Sequence, residues 1–292
     1  MTKLLPAGIH RDVPFSDYLA DPCERPSLSA SIAWALISES PLHAWHQHPR
    51  LGGSGSDNSN VANKGTAAHD LLLGGEGKLA ILEFENFRSR AAQDQRDEAI
   101  AAGKTPVLVA DMEAVIEQVE AARAFIAESE HPEAMSAGYG EATGVWEEDG
   151  ILCRIRPDWF NPDAPNPFIH YKTSAGSVRP GDFERRSWRE KGYAFTMRFY
   201  ARGARALGLS DDSLVLAQEQ HAPYACAWYG LDPANKAFED MRVERAVSLW
   251  RECVLSGRWP GYGGRVHYVE PSAWELADEE ARMASTNENG KG

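Results

Sequence analysis

The first 135 residues carry apolar side chains at helical spacing. In residues 27–38 a serine precedes an apolar run, which is how a capped helix usually begins. Helical patterns cover residues 27–38, 62–73 and 87–130, with a break at Gly103–Pro106. The Gly/Ser/Asn-rich stretch 52–60 predicts a flexible loop between the first two patterns. We therefore expect a helical N-terminal part over residues 1–135.

Residues 139–256 mix strand patterns with helix patterns and form the expected sheet core. Apolar runs at 142–147 and 151–156 flank a Glu-Asp-Gly turn and predict a β-hairpin. Further strands are expected at 168–173, 214–219 and 225–231, and further helices at 183–207 and 236–256. This order predicts a mixed α/β sheet with helices on both faces. We expect one domain over residues 1–275 and a flexible tail over 276–292.

The composition is that of a globular protein, with 43% hydrophobic and 25% charged residues. No apolar run approaches the length of a transmembrane helix, so no membrane partner is expected. The four cysteines are scattered singly, which excludes a zinc ribbon or a Cys-x-x-Cys redox motif. Unpaired cysteines and the lack of an apolar leader predict a cytoplasmic protein.

The charge is distributed unevenly along the chain. The net charge is −13, which argues against a nucleic-acid partner. Residues 154–205, however, hold eleven lysines and arginines against five acidic residues, a local charge of +6 that leaves −19 for the rest. This stretch is either a polyanion-binding face or a helix whose basic side chains are solvated or paired with the acidic remainder.

Four residues in the sheet core have the chemistry of a phosphodiesterase. Asp158 follows the second hairpin strand, Lys172 lies on the next strand, and Glu141 immediately precedes the hairpin. His170 shares one face with Lys172, because side chains two apart on a strand point the same way. Carboxylates at a strand end can hold Mg²⁺, and an adjacent lysine can offset negative charge on a phosphate. Alternatively, Asp158 caps a turn and Lys172 is an ordinary exposed strand residue.

Eight short motifs occur in order along the chain, at residues 26–31, 40–45, 48–51, 65–73, 96–105, 156–159, 171–173 and 218–224. Through them, about residues 9–255 resemble the C-terminal nuclease domain of RecE-type exonucleases (exodeoxyribonuclease VIII), a branch of the PD-(D/E)xK nuclease superfamily. The resemblance implies a restriction-endonuclease-like fold, in which helices flank a mixed β-sheet.

The resemblance also implies a function. Members of the family degrade double-stranded DNA from an end with Mg²⁺, and we expect Mg²⁺ here, with Mn²⁺ as the alternative cofactor. The expected setting is phage-like recombination, beside a single-strand annealing protein and with a homo-oligomer as a further expectation.

Residue by residue, the resemblance assigns metal-binding roles to His69, Asp158 and His170 and catalytic roles to Lys172 and Glu141. His69 matches a histidine on an early helix of the family, although it could instead be a helix histidine packed under the sheet. The expected DNA-binding residues lie on the helix over 183–207 and are Arg185, Arg186, Arg189, Thr196, Tyr200 and Arg202.

Two positions depart from the family pattern. His170 stands where the family carries an Asp two residues before the lysine, and Thr196 stands where the following helix carries a Gln. A neutral imidazole is a poor ligand for Mg²⁺ and suits Mn²⁺, Fe²⁺ or Zn²⁺ better. The alternative function is therefore a catalytically impaired RecE-like module that binds DNA or a recombination partner.

Overall fold

The computed structural model describes residues 4–53, 64–74 and 76–289. The chain forms two compact units, Met1–Gly261 and Tyr262–Gly292. The loop expected at 52–60 lies outside the described residues from position 54 onward. The expected single domain to residue 275 and the expected tail both stay predictions. No helix in the described part of the chain is long and apolar enough to cross a membrane.

Eleven strands are present in the described residues. They are β1 (Gly8–His10), β2 (Ser27–Ser29), β3 (Leu79–Leu82), β4 (Thr105–Leu108), β5 (Tyr139–Gly140), β6 (Thr143–Glu148), β7 (Ile151–Ile155), β8 (Trp159–Phe160), β9 (Phe168–Ser174), β10 (Ser213–Glu219) and β11 (Cys226–Tyr229).

Nine α-helices are present in the same residues. They are α1 (Phe15–Leu19), α2 (Ala30–Ser38), α3 (Pro41–Gln47), α4 (Lys64–Gly74), α5 (Arg90–Ala101), α6 (Met112–Glu128), α7 (Tyr193–Ala206), α8 (Pro233–Ser256) and α9 (Ala273–Asn289). Within the smaller unit, α9 covers most of the segment that the sequence predicts to be a tail.

A four-stranded sheet in the order β1-β6-β7-β2 contains the predicted hairpin. Strands β6 and β7 pair antiparallel up to Glu148 opposite Ile151. The two turn residues, Asp149 and Gly150, both have positive φ, as a two-residue hairpin turn of right-handed twist requires. The predicted hairpin is confirmed.

A five-stranded sheet in the order β11-β10-β9-β8-β5 forms the second layer of strands. Strand β9 runs parallel to β10 and antiparallel to β8, so the sheet is mixed, as predicted. Helix α7 packs against β6, β7 and β10, whereas α4 packs against β9 and α6 against β11. The prediction of a mixed α/β fold with helices flanking the sheet is confirmed.

The main core lies between the hairpin and the helices α2, α7 and α8. Trp146 from β6, Phe199 from α7 and Trp250 from α8 are almost completely buried there. Large aromatic side chains remove much apolar surface from water, and this burial is the main force that holds the helices on the sheet.

The long helix expected over 183–207 is interrupted. Residues Glu184–Trp188 form a π-helical turn, and α7 begins only at Tyr193. The break is at Gly192, which has φ of 62° and whose missing Cβ would lie 2.6 Å from the Trp34 ring. The expectation of one continuous helix is wrong, because the chain needs a left-handed glycine to pass this ring.

A buried ion cluster ties the N-terminal segment to strand β7. The carboxylate of Asp21 lies 3.1 Å from Arg154 and 3.4 Å from His48, and it accepts hydrogen bonds from both the hydroxyl and the backbone N–H of Ser27. The side chains of Asp21 and Arg154 are 0% and 3% exposed. Each charge therefore depends on the other for compensation.

We expect the Arg154→Met variant to lose about 3–5 kcal/mol of unfolding free energy, because it removes the nearer cation from the buried Asp21 carboxylate and leaves only Arg50, at 3.8 Å. The matched control is Arg25→Met, whose 2.8 Å pair with Glu147 is about half exposed on both sides. It should cost no more than about 1 kcal/mol. Urea unfolding measures both, and equally small losses would contradict a stabilising role for the buried pair.

Candidate active site

Asp158 lies at the crossover between the two sheets, between β7 and β8. One oxygen of its carboxylate, Oδ2, accepts hydrogen bonds from the backbone N–H of Tyr171 at 2.9 Å and from Lys172 Nζ at 2.8 Å. The structure thus brings together the aspartate and the lysine that the sequence analysis singled out on separate strands.

His69 joins the same group from helix α4. Its Nε2 lies 3.5 Å from Asp158 Oδ1, and its Nδ1 lies 3.3 Å from Asp70 Oδ1. The imidazole stacks on the ring of Tyr171, with 5.9 Å between ring centroids. Asp70 in turn accepts a hydrogen bond from Thr105 on β4. His69 is therefore held between two carboxylates beside the centre.

A buried polar network behind the site fixes Tyr171. The Tyr171 hydroxyl donates to Gln218 Oε1 at 2.5 Å and accepts from Gln118 Nε2 at 3.3 Å. Gln218 also donates to the backbone oxygen of Gln118 at 2.8 Å. Sequence reasoning missed Gln118, although a glutamine one turn from the buried Val115 of α6 is an available signal, since a polar residue at a core position needs a partner.

His170 lies on the opposite face of β9 from Tyr171 and is only 3% exposed. Its Nε2 has no hydrogen-bond partner among the described residues, and its ring meets the ring of Tyr200 edge-on at 4.8 Å. Burial lowers the pKa of His170 to about 4, so the imidazole is neutral at pH 7.

Tyr200 and Thr196, two of the expected DNA-binding residues, lie one turn apart on α7. The hydroxyl of the buried Tyr200 donates to the backbone oxygen of Arg156 at 2.8 Å and accepts from its N–H at 3.2 Å. Thr196 is partly exposed. Tyr200 thus holds the strand end that precedes Asp158, and the DNA-binding roles of both residues stay predictions.

Glu141 lies beside the centre but faces cations. Its backbone N–H donates to the backbone oxygen of Asp158 at 3.1 Å. Its carboxylate lies 2.5 Å from Lys78 Nζ and 3.4 Å from Arg156 Nη2. Lys78 was missed by sequence reasoning, since no motif includes this residue between α4 and β3.

The charges of the centre are strongly coupled. Burial alone would raise the pKa of Asp158, but Lys172 and His69 outweigh it and hold that pKa far below the usual range. Burial alone would likewise lower the pKa of His69, yet the carboxylates of Asp158 and Asp70 raise it to about 9. Burial and the negative charge of Asp158 raise the pKa of Tyr193 to about 12.

The donor set does not fit Mg²⁺. Among the described residues, no group of three or more His, Cys, Asp or Glu side chains is arranged to hold a metal ion. Asp158 supplies one carboxylate, His170 adds an imidazole with an orphaned nitrogen, and Glu141 is occupied by two cations. Mg²⁺ prefers oxygen ligands, so this set of side chains suits it poorly. The use of Mg²⁺ or Mn²⁺ as cofactor stays a prediction.

The expected DNA-binding arginines fall into two groups. Arg202 bridges the hairpin and α8, at 2.8 Å from Glu148 and 2.7 Å from Glu244, and Arg185 pairs with Asp182. The second group is exposed, lies between β9 and α7, and makes no ion pair with the described residues. It contains the expected Arg186 and Arg189. Together with Arg179 and Lys191, two exposed residues of the same stretch that were not expected to bind DNA, they form what we call the cationic segment.

We expect His69 to be protonated and His170 neutral at pH 7. Because the pKa of His69 is raised from 6.5 to about 9, its stabilising contribution is complete below pH 6.5 and is lost as the pH rises through about 9. The lowered pKa of His170 acts in the other direction, so stability falls as the pH drops from 6.5 to about 4. An NMR titration of the histidine resonances, assigned with the variants His69→Gln and His170→Gln, measures the two pKa values. An ordinary midpoint near 6.5 for His69 would contradict its ion pairs.

Comparison with known proteins shows the family of this chain. The model of a family described as a PDDEXK-like domain of unknown function (DUF3799) matches residues 38–272. The fold is similar to that of a protein from Eubacterium rectale whose crystal structure is described as that of a "Putative exonuclease". The two share 13% identity at a TM-score of 0.52, over 91% of this chain and 98% of that chain.

A second solved structure, that of SSO0001, has a TM-score of 0.29 at 10% identity, over 83% of this chain and 89% of that chain. This score is too low to indicate a common fold. No curated protein matches the sequence. The narrower resemblance to RecE-type exonucleases stays a prediction. The family model alone covers most of the chain, and this chain therefore belongs to the PDDEXK-like DUF3799 family.

Proposed function

We propose that this chain is a DNA nuclease of the RecE exonuclease type, which acts at the ends of double-stranded DNA. The observation that carries the proposal is the contact between Asp158 and Lys172, held in place by the N–H of Tyr171. Membership of a PDDEXK-like family supports phosphodiester chemistry. The E. rectale protein of similar fold, described as a putative exonuclease, supports action from an end.

Lys172 is the residue that would contact the scissile phosphate. Its Nζ carries a fixed positive charge, and its side chain is 28% exposed, so a phosphate oxygen can reach it. A cation placed where negative charge develops stabilises the transition state of phosphoryl transfer. Asp158 orients this ammonium group. With a pKa far below neutrality, Asp158 is too weak a base to remove a proton from water efficiently.

The cationic segment would bind the DNA backbone next to this centre. It follows β9, the strand that carries Lys172, and leads into α7. Exposed arginines and lysines without carboxylate partners can bind phosphates and release counterions from DNA. Arg202 already pairs with two carboxylates and is therefore less available to a phosphate.

A second candidate function is a DNA-binding module without turnover. It is favoured by His170, a buried neutral imidazole where the resemblance requires a carboxylate. The two candidates share the DNA-binding surface and differ in hydrolysis alone. Three remaining parts of the proposal rest on the resemblance alone: phage-like recombination, a single-strand annealing partner and a homo-oligomer. The proposed cytoplasmic location rests on the unpaired cysteines.

For hydrolysis, we expect end-labelled linear duplex DNA to be degraded by the wild type. Lys172→Met should slow this degradation by about 100-fold, because it removes the cation at the phosphate. Asp158→Asn should act similarly, since it releases Lys172.

The control Asp163→Asn removes an exposed carboxylate outside the centre. The assay compares Mg²⁺, Mn²⁺ and EDTA, with circular dichroism to verify folding. Equal cleavage by wild type and Lys172→Met would refute the site, and no cleavage by a folded wild type that binds DNA would favour the second candidate.

For DNA binding, we expect Arg186→Ala and Arg189→Ala to weaken the affinity and to lower the salt dependence. Each lost phosphate contact should reduce the slope of log K against log salt by about 0.9. Fluorescence anisotropy with a labelled duplex measures affinity and slope. The control Arg251→Ala removes an arginine that pairs with Asp149 on the hairpin turn. Loss of the same size in all three variants would show a general charge effect instead of a local binding surface.

A further inference from the structure

We propose that the Asp158 centre binds a DNA phosphate without a divalent metal, because lysine and arginine side chains of the protein supply the positive charge. This inference rests on the DNA-binding part of the proposed function, which both candidate functions share. It follows from the mismatch between the donor set and Mg²⁺.

The first step is the balance of fixed charges at the centre. Asp158 faces Lys172 at 2.8 Å, and Glu141 faces Lys78 at 2.5 Å and Arg156 at 3.4 Å. Three permanent cations therefore compensate two carboxylates. A site built for a metal normally has an excess of carboxylates, which repel a phosphate until the metal binds. Here that repulsion is already cancelled by the protein.

The second step is the position of His170. A carboxylate at this position would add a third negative charge and remove the excess of cations. The imidazole adds no charge in its neutral form. Its Nε2 has no hydrogen-bond partner among the described residues. The other nearby carboxylate, Asp70, is held by His69 and by the hydroxyl of Thr105. The substitution therefore favours binding of an anion over binding of a cation.

The third step is access for a phosphate. The Lys78 and Lys172 side chains are 42% and 28% exposed, whereas Arg156 is 8% exposed. A hydrogen bond of 3.1 Å joins the backbones of Glu141 and Asp158, the two residues whose carboxylates hold these lysines. Arg156 can stay on Glu141 while Lys78 turns to the phosphate. The ammonium groups of Lys78 and Lys172 are therefore accessible to a phosphate, while Arg156 stays paired with Glu141.

The test measures the affinity for a short duplex by fluorescence anisotropy, in EDTA and in Mg²⁺ at matched ionic strength. We expect the dissociation constant of the wild type to be the same in both within about threefold, a difference below 1 kcal/mol. The His170→Asp variant should bind about fivefold or more weakly in EDTA, because it places a like charge near the phosphate, and Mg²⁺ should restore its affinity.

A second pair of variants avoids any change in the interior. Lys78→Met should weaken binding in EDTA, whereas Lys104→Met, which removes an exposed lysine after α5, should leave it unchanged. Binding by the wild type that disappears in EDTA and returns with Mg²⁺ would overturn this inference and leave the proposed function intact. Failure of the folded wild type to bind DNA in either condition would overturn both.

Discussion

The carboxylate of Asp158 holds the end of the hairpin against strand β9, and the rest of the centre depends on this contact. One oxygen accepts from the Tyr171 backbone and from Lys172, while the other faces His69. The first two partners belong to one sheet and the third to helix α4, so a single side chain sets the positions of three elements. A carboxylate with several donors is stabilised in its charged form, which keeps this arrangement in place at neutral pH.

The surrounding layers support this contact from both sides of β9. On one side, Gln118 and Gln218 fix Tyr171, on which His69 stacks. On the other side, Tyr200 binds the backbone of Arg156 and packs against His170. Fully paired polar groups in the interior specify one geometry, since an unpaired one is costly. Nε2 of His170 is one of the buried polar atoms of the described residues that lack a partner, and it lies where the chain departs from the pattern of the RecE-type exonucleases it resembles.

The sequence was sufficient for the parts of the fold that have local signals. Apolar runs around a Glu-Asp-Gly turn predict the hairpin, whose turn residues have positive φ. Strand β9 follows from its own apolar run, and the two strands together give the positions of Asp158 and Lys172 in the chain. Three features depend on contacts that the pattern does not contain. The break at Gly192 arises from the Trp34 ring, the short strand β4 forms only by pairing with β3, and Lys78 reaches Glu141 across 63 residues of chain. The basic stretch 154–205 serves two purposes, since Arg154 and Arg202 are paired with carboxylates whereas Arg186 and Arg189 are exposed.

The central claim, that the Asp158–Lys172 centre engages the DNA backbone, is tested most directly by a crystal structure of the protein with a short blunt duplex, grown in EDTA. The account predicts a backbone phosphate oxygen about 3 Å from Lys172 Nζ, with the adjoining strand along Arg186 and Arg189. DNA bound on another face, with Lys172 still paired to Asp158 alone, would contradict it.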